Sequence, residues 1–211
     1  AQTPQQILRA GANRQVFCDL VPRAASGEVL ALRQAVVNLA SIRVNGFDTS
    51  ARWVFDTGLG RFEPSIDASY LDSFRTTTAQ PDWSSVHGSL SIDERAGKSD
   101  QPRSTFPRWK AQAGLRYPRG PFDANWKARY IGTSYDVPGN AINGGEIGSV
   151  IYHDLQLAYA FADSRYRVAL GVDNLFDKQP PASAANNPIN FDIYTYDIRG
   201  RYLYATFGAR F

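Results

Sequence analysis

The sequence predicts an all-β protein: an antiparallel transmembrane β-barrel, represented here by about seven consecutive strands. Three observations lead there. Apolar and polar residues alternate with a period of two in seven segments, which puts one kind on each face of an extended strand. Short and long connections follow one another in strict turn between those segments. No run approaches the roughly 18 apolar residues of a membrane helix, and the mean hydropathy is negative. A membrane barrel escapes that limit, because only every second residue faces lipid.

The first segment, residues 38–55, alternates through Ile42 and Val44, bends at Gly46 and ends on Trp53 and Phe55. A polar turn, residues 56–60, joins it to residues 61–74, where Phe62, Pro64, Ile66, Ala68 and Tyr70 share a face. Pro64 removes a backbone donor, which predicts an edge or a bulge at that point. A long polar connection spans residues 75–107. The third segment, residues 109–117, sets Trp109, Ala111, Ala113, Leu115 and Tyr117 against Lys110, Gln112, Gly114 and Arg116. Residues 118–121 (PRGP) preset a tight turn. The fourth, residues 122–131, sets Phe122, Ala124, Trp126, Ala128 and Tyr130 against Asp123, Asn125, Lys127 and Arg129.

A Gly/Asn-rich connection, residues 132–149, leads to residues 151–161, which place Ile151, His153, Leu155, Leu157, Tyr159 and Phe161 together. After a turn at residues 162–165, residues 166–176 set Tyr166, Val168, Leu170 and Val172 against Arg167, Ala169, Gly171 and Asp173. A third long connection, residues 177–200, precedes the last segment. There Leu203, Ala205, Phe207, Ala209 and Phe211 oppose Tyr202, Tyr204, Thr206, Gly208 and Arg210.

Alternation alone does not say which face is inside, since a lipocalin-like soluble barrel has the same period. Three features favour apolar-out. The segments run roughly 9–11 residues, the length of a tilted strand crossing a bilayer. Aromatics gather at segment ends, as Trp109 and Tyr117 or Phe122 and Tyr130 do, which suits two interfacial girdles. The polar faces carry Lys110, Arg116, Lys127, Arg129 and Arg167, as an aqueous or plugged lumen would.

The motif DNLFDK, residues 173–178, closes the sixth segment, and YDIRGR, residues 196–201, opens the seventh. Together with a final strand ending in Phe, this pair resembles the C-terminal signature of TonB-dependent outer-membrane receptors, carried by Asn174, Leu175, Phe176, Asp177, Gly200 and Arg201. Leu203, Ala205, Phe207, Ala209 and Phe211 resemble the assembly signal read by the barrel-insertion machinery. Residues 38–48, with Gly46-Phe47-Asp48, resemble a further segment of those receptors. The likeness covers most of residues 38–211 and is strongest in the last forty or so. Gln179-Pro180-Pro181 depart from it, standing where the family usually shows an aromatic.

The resemblance implies a barrel of about 22 strands closed by an N-terminal plug. Seven strands are fewer than the roughly eight of the smallest closed barrel, so the chain is expected to be the C-terminal part of a receptor. Residues 1–37 are then an irregular external loop and strand extension, and residues 38–211 the C-terminal barrel portion, without the plug domain. Within the former, residues 27–37 suit a helical turn or a strand, and the resemblance favours the strand. The resemblance also implies a cell outer-membrane location with the C-terminus at the periplasmic side, and no cofactor. Implied partners are outer-membrane lipid, the rest of the barrel and plug, and the TonB complex acting through that plug. The cargo is a scarce nutrient, most often an iron siderophore, with cobalamin and oligosaccharides as others.

Three connections, residues 75–107, 132–149 and 177–200, would be external loops, where binding residues concentrate. Trp83 and His87 in the first, Tyr135 and Asn140 in the second, and Tyr194 and Tyr196 in the third are the candidate cargo contacts. For each, packing within its own loop is the reading that the residue by itself favours. An aromatic surface would take a catecholate or a sugar ring.

Other classes find less support. His87 and His153 are the only histidines, and His153 and Asp154 fall on opposite strand faces, so no dyad forms. No Gly-rich phosphate loop, G-x-S-x-G or metal-spaced cluster occurs, which predicts a protein that is not an enzyme. The net charge of +3 is dispersed, unlike a nucleic-acid footprint. Lone Cys18 either pairs outside the chain or is buried and inert. The first 15 residues lack the apolar core of a signal peptide. A soluble or passive β-barrel, ligand-binding or porin-like, is the alternative.

Overall fold

The computed structural model describes residues 22–31, 40–80, 89–100, 104–136, 145–183 and 190–210. Every element named among them is a strand: β1 Ala40–Arg52, β2 Phe55–Thr57, β3 Gly60–Gln80, β4 Ser89–Glu94, β5 Lys98–Asp100, β6 Ser104–Thr105, β7 Trp109–Arg119, β8 Phe122–Ile131, β9 Ser134–Asp136, β10 Glu146–Ile147, β11 Val150–Phe161, β12 Tyr166–Asp173 and β13 Tyr202–Ala209. Two compact units divide the chain, residues 1–43 with 75–94 and residues 44–74 with 95–211.

In the first unit, the end of β3 pairs antiparallel with β4 from Arg75 opposite Glu94 to Gln80 opposite Ser89. An Arg75–Glu94 ion pair of 3.1 Å crosses that ladder. Residues 22–31 make a small hairpin, with Arg23 bridging Val29 and Gly27 turning at φ +88°. Of residues 27–37 only 27–31 are described, and they hold the turn at Gly27 and the single bridge at Val29.

In the second unit, the strands line up as β1-β3-β7-β8-β11-β12-β13, a meander in sequence order. These are the seven expected strands, with changed limits. β3 runs on to Gln80, well beyond residue 74. The sixth stops at Asp173, because Asn174 takes φ +51° and breaks the ladder. The first is interrupted at Trp53 and Val54 before β2 resumes as a hairpin with β3.

That interruption accommodates Pro64. β3 is an interior strand, yet the proline neither ends it nor needs an edge. The N–H and C=O of one strand residue point to the same side, and the Pro64 carbonyl accepts from Trp53 N–H at 3.0 Å. The missing donor therefore faces the gap in β1/β2, while the Pro64–Leu115 pairing on the other side loses nothing. Gly46 is a second local device. A Cβ there would lie 2.3 Å from the Tyr70 carbonyl oxygen. Asn45 donates to Ser73 Oγ on one face, whereas Phe47 stacks on Tyr70 on the other. Asn45 and Phe47 have the same parity, so the strand shifts phase at Gly46, as a bulge does.

Register sorts the two faces across the whole sheet. Pro64, Leu115, Trp126, Leu155, Val172 and Leu203 stand directly opposite one another in one row. The neighbouring row of that face is Tyr117, Ala124, Leu157, Leu170 and Ala205. On the other face one row reads Glu63, Arg116, Asn125, Gln156, Gly171 and Tyr204. The apolar face is the bare one: Leu157 is 54% exposed, Leu170 61%, Leu203 73% and Phe207 67%. A soluble sheet buries such residues, so apolar-out is the arrangement this fold adopts.

Aromatic rings edge that face at both ends. At the short turns Phe122, Tyr159, Phe161, Tyr166 and Phe207 form a continuous belt with centroid spacings of 4.7 to 6.3 Å. At the long connections Tyr70 and Trp109 lie 4.7 Å apart, and His153 sits between Trp126 and Phe176. These are the two expected girdles. Leu170→Arg, mid-strand on the apolar face, is expected to cost about 2–4 kcal/mol in denaturant unfolding from phospholipid vesicles. Gln112→Arg, on the polar face, is expected to stay within about 0.5 kcal/mol. A larger cost at Gln112 than at Leu170 would mean that the faces are assigned the wrong way round.

Candidate functional site

The long connections are not simple polar loops. Within the second unit they build a second sheet in the order β10-β9-β5-β6, where β5 and β9 run parallel and Ser99 lies opposite Asp136. Sequence reading missed these strands because two or three residues show no period.

A buried polar network ties three connections into one platform. The Asp192 carboxylate accepts from Thr105 N–H at 2.7 Å, Tyr194 N–H at 2.8 Å and Thr195 Oγ1 at 2.6 Å. Ser183 Oγ donates to Asp136 Oδ1 at 2.8 Å and lies 3.3 Å from Ser99 Oγ. Thr105 Oγ1 donates to Ser99 Oγ at 3.2 Å. Ser99, Ser183 and Asp192 are wholly buried. Removing this buried carboxylate leaves the Thr105 and Tyr194 N–H groups without their acceptor. Beneath the network Ile147, Val150, Tyr152 and Tyr196 form an apolar cluster, with Ile131 packed against it.

Of the candidate contacts, Tyr135 and Tyr194 are exposed on this platform. Tyr196 is not: it is 3% exposed, and its ring belongs to the cluster that holds the platform together. Burial pushes its phenol above the usual tyrosine range, and the nearby Asp192 carboxylate adds to the shift. Its hydroxyl has no hydrogen-bond partner among the described residues. Trp83, His87, Asn140, Cys18 and Phe211 lie outside the described residues. Asp192, Asp136, Ser99, Ser183 and Thr105 were not singled out from sequence. The one local signal was Asp192 two residues before Tyr194, the spacing of an Asx turn.

The residues 173–178 and 196–201 form a clasp. Asn174, fully buried, donates its Nδ2 to the Lys178 carbonyl at 3.0 Å and accepts from Lys178 N–H at 2.8 Å. Its own N–H donates to Asp154 Oδ1 at 2.9 Å. Asp177 Oδ1 accepts from Arg201 N–H at 2.9 Å, joining the end of β12 to the start of β13. Gly200 turns at φ +66°, and a Cβ there would stand 2.7 Å from that oxygen, so only glycine fits. Leu175 N–H donates to the His153 carbonyl, and Phe176 packs edge-on against the His153 ring.

The polar face carries paired charges. Arg116 Nη2 meets Asp123 at 2.6 Å, and Arg116 Nη1 meets Glu63 at 3.3 Å. Arg129 meets Asp154 at 2.8 Å and Asp197, on the third connection, at 3.4 Å. Asp154 thus turns to the polar face, while His153 packs among the apolar-face rings. Tyr204 lies flat over Gly171, where a Cβ would meet its ring at 2.1 Å.

The family described as TonB dependent receptor-like, beta-barrel matches residues 9–175. The chain belongs to the TonB-dependent receptor β-barrel family. No curated protein and no solved structure matches it. In this receptor barrel the apolar face is the lipid face and the polar face lines the lumen. The strands are a portion of an outer-membrane barrel, open at β1 and β13 among the described residues. Receptors of this family work through a barrel, a plug and the TonB system. The match stops within the clasp, so the likeness of the last strand rests on its own residues.

Asp192→Ala is expected to lower the local opening free energy of residues 104–105 and 192–196 by at least about 2 kcal/mol. Amide hydrogen exchange checks it, with β8 and β11 unchanged as the internal reference. Tyr196 keeps its proton in the folded platform above pH 10, where an unfolded tyrosine ionises. Its stabilising effect is therefore complete below about pH 10 and declines as pH rises beyond it. Tyr196→Phe, which removes an unpartnered hydroxyl, is expected to leave exchange at pH 7 unchanged and to abolish that alkaline loosening.

Proposed function

We propose that this barrel portion supplies the last strands and three external loops of a receptor that takes up a scarce nutrient, with an iron siderophore as its cargo. The observation that carries this reading is the platform: Tyr135 and Tyr194 stand exposed on loops that a buried carboxylate network holds together. Rigid aromatic anchors give contact area at little entropic cost, and a catecholate or another flat ring stacks on them. The long connections then lie outside the cell and the C-terminus on the periplasmic side. Trp83, His87 and Asn140 remain candidate cargo contacts of the external loops, and residues 1–37 an irregular external loop and strand extension. Cargo passage depends on a plug domain pulled by the TonB complex.

Uptake of radiolabelled ferric siderophore by cells expressing the full-length receptor tests this. Tyr194→Ala and Tyr135→Ala are each expected to weaken cargo binding roughly tenfold while leaving the amount of inserted barrel unchanged. If deletion of the receptor leaves siderophore uptake intact but abolishes uptake of cobalamin or an oligosaccharide, the iron assignment is replaced. If no TonB-dependent uptake changes, the transport reading fails.

A further inference from the structure

The lipid face carries a depression with a cation at its end. Its floor is Ala124, short between Tyr117 on β7 and Leu157 on β11, with Leu170 beyond. Phe122 and Tyr159, with ring centroids 4.7 Å apart, wall it on the short-turn side. The volume is about 400 Å³, within the range of small-ligand sites, and the lining is almost wholly apolar. Alanine therefore leaves a chain-sized trough in a face whose neighbouring positions carry rings and leucines.

Arg119 lies two residues beyond Tyr117 on the same side of β7 and directly opposite Phe122. That places it roughly 7 Å along the strand from the row that contains Ala124. Its Nη1 lies 3.4 Å from the Tyr117 hydroxyl, which itself donates to the Leu59 carbonyl. Among the described residues Arg119 meets no carboxylate, as Arg165 and Arg167 do not, but unlike Arg167 it stands on the apolar side of the sheet. A guanidinium at the edge of hydrocarbon is matched by a phosphate, which accepts two parallel N–H bonds from it.

We propose that this is a phospholipid site, with an acyl chain in the trough over Ala124 and the headgroup phosphate on Arg119. It rests on the reading of the apolar face as lipid-facing. An ordinary belt of lipid would exchange freely; a chain-sized hollow combined with an unpaired cation would hold one molecule in register with the Phe122–Tyr159 rings.

The test uses the full-length receptor in non-ionic detergent, incubated with dioleoylphosphatidylglycerol and analysed by native mass spectrometry. One retained lipid per barrel is expected. Ala124→Trp, which fills the trough, and Arg119→Gln are each expected to lower that occupancy at least tenfold. Ala111→Trp, on the same face three rows away, should leave it unchanged. Equal occupancy in all variants, equal retention of an uncharged glycolipid of the same chain length, or a second protein copy in place of the lipid would overturn the site. Protease protection after insertion into vesicles is read in parallel. A wild-type protein that inserts but retains no lipid defeats this proposal alone; one that does not insert defeats the barrel reading as well.

Discussion

A strand surrounded by hydrocarbon has no water to take up an idle amide, so each N–H and C=O in the membrane must find its partner in the adjacent strand. That constraint fixes the antiparallel ladder from β3 to β13 and leaves side chains free to sort by face. It also explains where irregularities are allowed. Pro64 sits in an interior strand because its missing donor points at the break in β1/β2 and not at β7. The phase shift at Gly46 re-aims Phe47 onto Tyr70 and Trp109 at the loop-side girdle, while Asn45 keeps the lumenal face polar.

The sheet gives its own faces no dry centre. One meets lipid and the other meets charge pairs such as Arg116 with Glu63 and Asp123, so the apolar cluster of Ile147, Val150, Tyr152 and Tyr196 lies at the long-connection end. Stability in the loops has to come from elsewhere than hydrophobic burial alone, because the connections are rich in Gly, Ser, Asn and Asp. A hydrogen-bonded carboxylate does that work: Asp192 gathers two backbone N–H groups and one hydroxyl from two connections into one hub. Flexible loops lose entropy on meeting cargo, whereas loops ordered beforehand leave more of the contact energy to binding.

Most of the sheet was legible in the sequence, because a period of two over eight or more residues is a signal that tertiary context rarely overrides. The seven-strand count and the spacing of the connections follow from it, while the lipid-side assignment of the apolar face needed the strand lengths, the aromatic ends and the charged residues of the other face as well. Strand ends were less legible. Asp173 ends β12 because Asn174 adopts a left-handed turn, and β3 continues past Phe74 because Arg75–Gln80 find a partner in β4. The platform was hardly legible at all. Its members are isolated Ser, Thr and Asp residues far apart in the chain, and only the fold brings Thr105 to Asp192 or Ser99 to Ser183. The same blindness applied to Tyr196, whose aromatic character fits an exposed contact and a buried wedge equally well.

The clasp shows why a loop-end motif can be structural without touching cargo. Asn174 and Asp177 both take positive φ and both spend their side chains on backbone groups, at Lys178 and Arg201. Asn174 N–H also bonds Asp154, which holds Arg129, which reaches Asp197 on the third connection. A continuous chain of charge-assisted contacts thus runs from the lumenal side of β8 and β11 to both ends of the loop that carries Tyr194. Such bonds are stronger than neutral ones, so the loop's two ends are set jointly by the barrel wall and by Asp177, Lys178 and Asp197 of the loop itself. Between those anchors, Ser183, Asp192 and Tyr196 are held in turn by the buried network and the apolar cluster. The motif thus fixes where the third connection begins and ends through bonds to backbone groups.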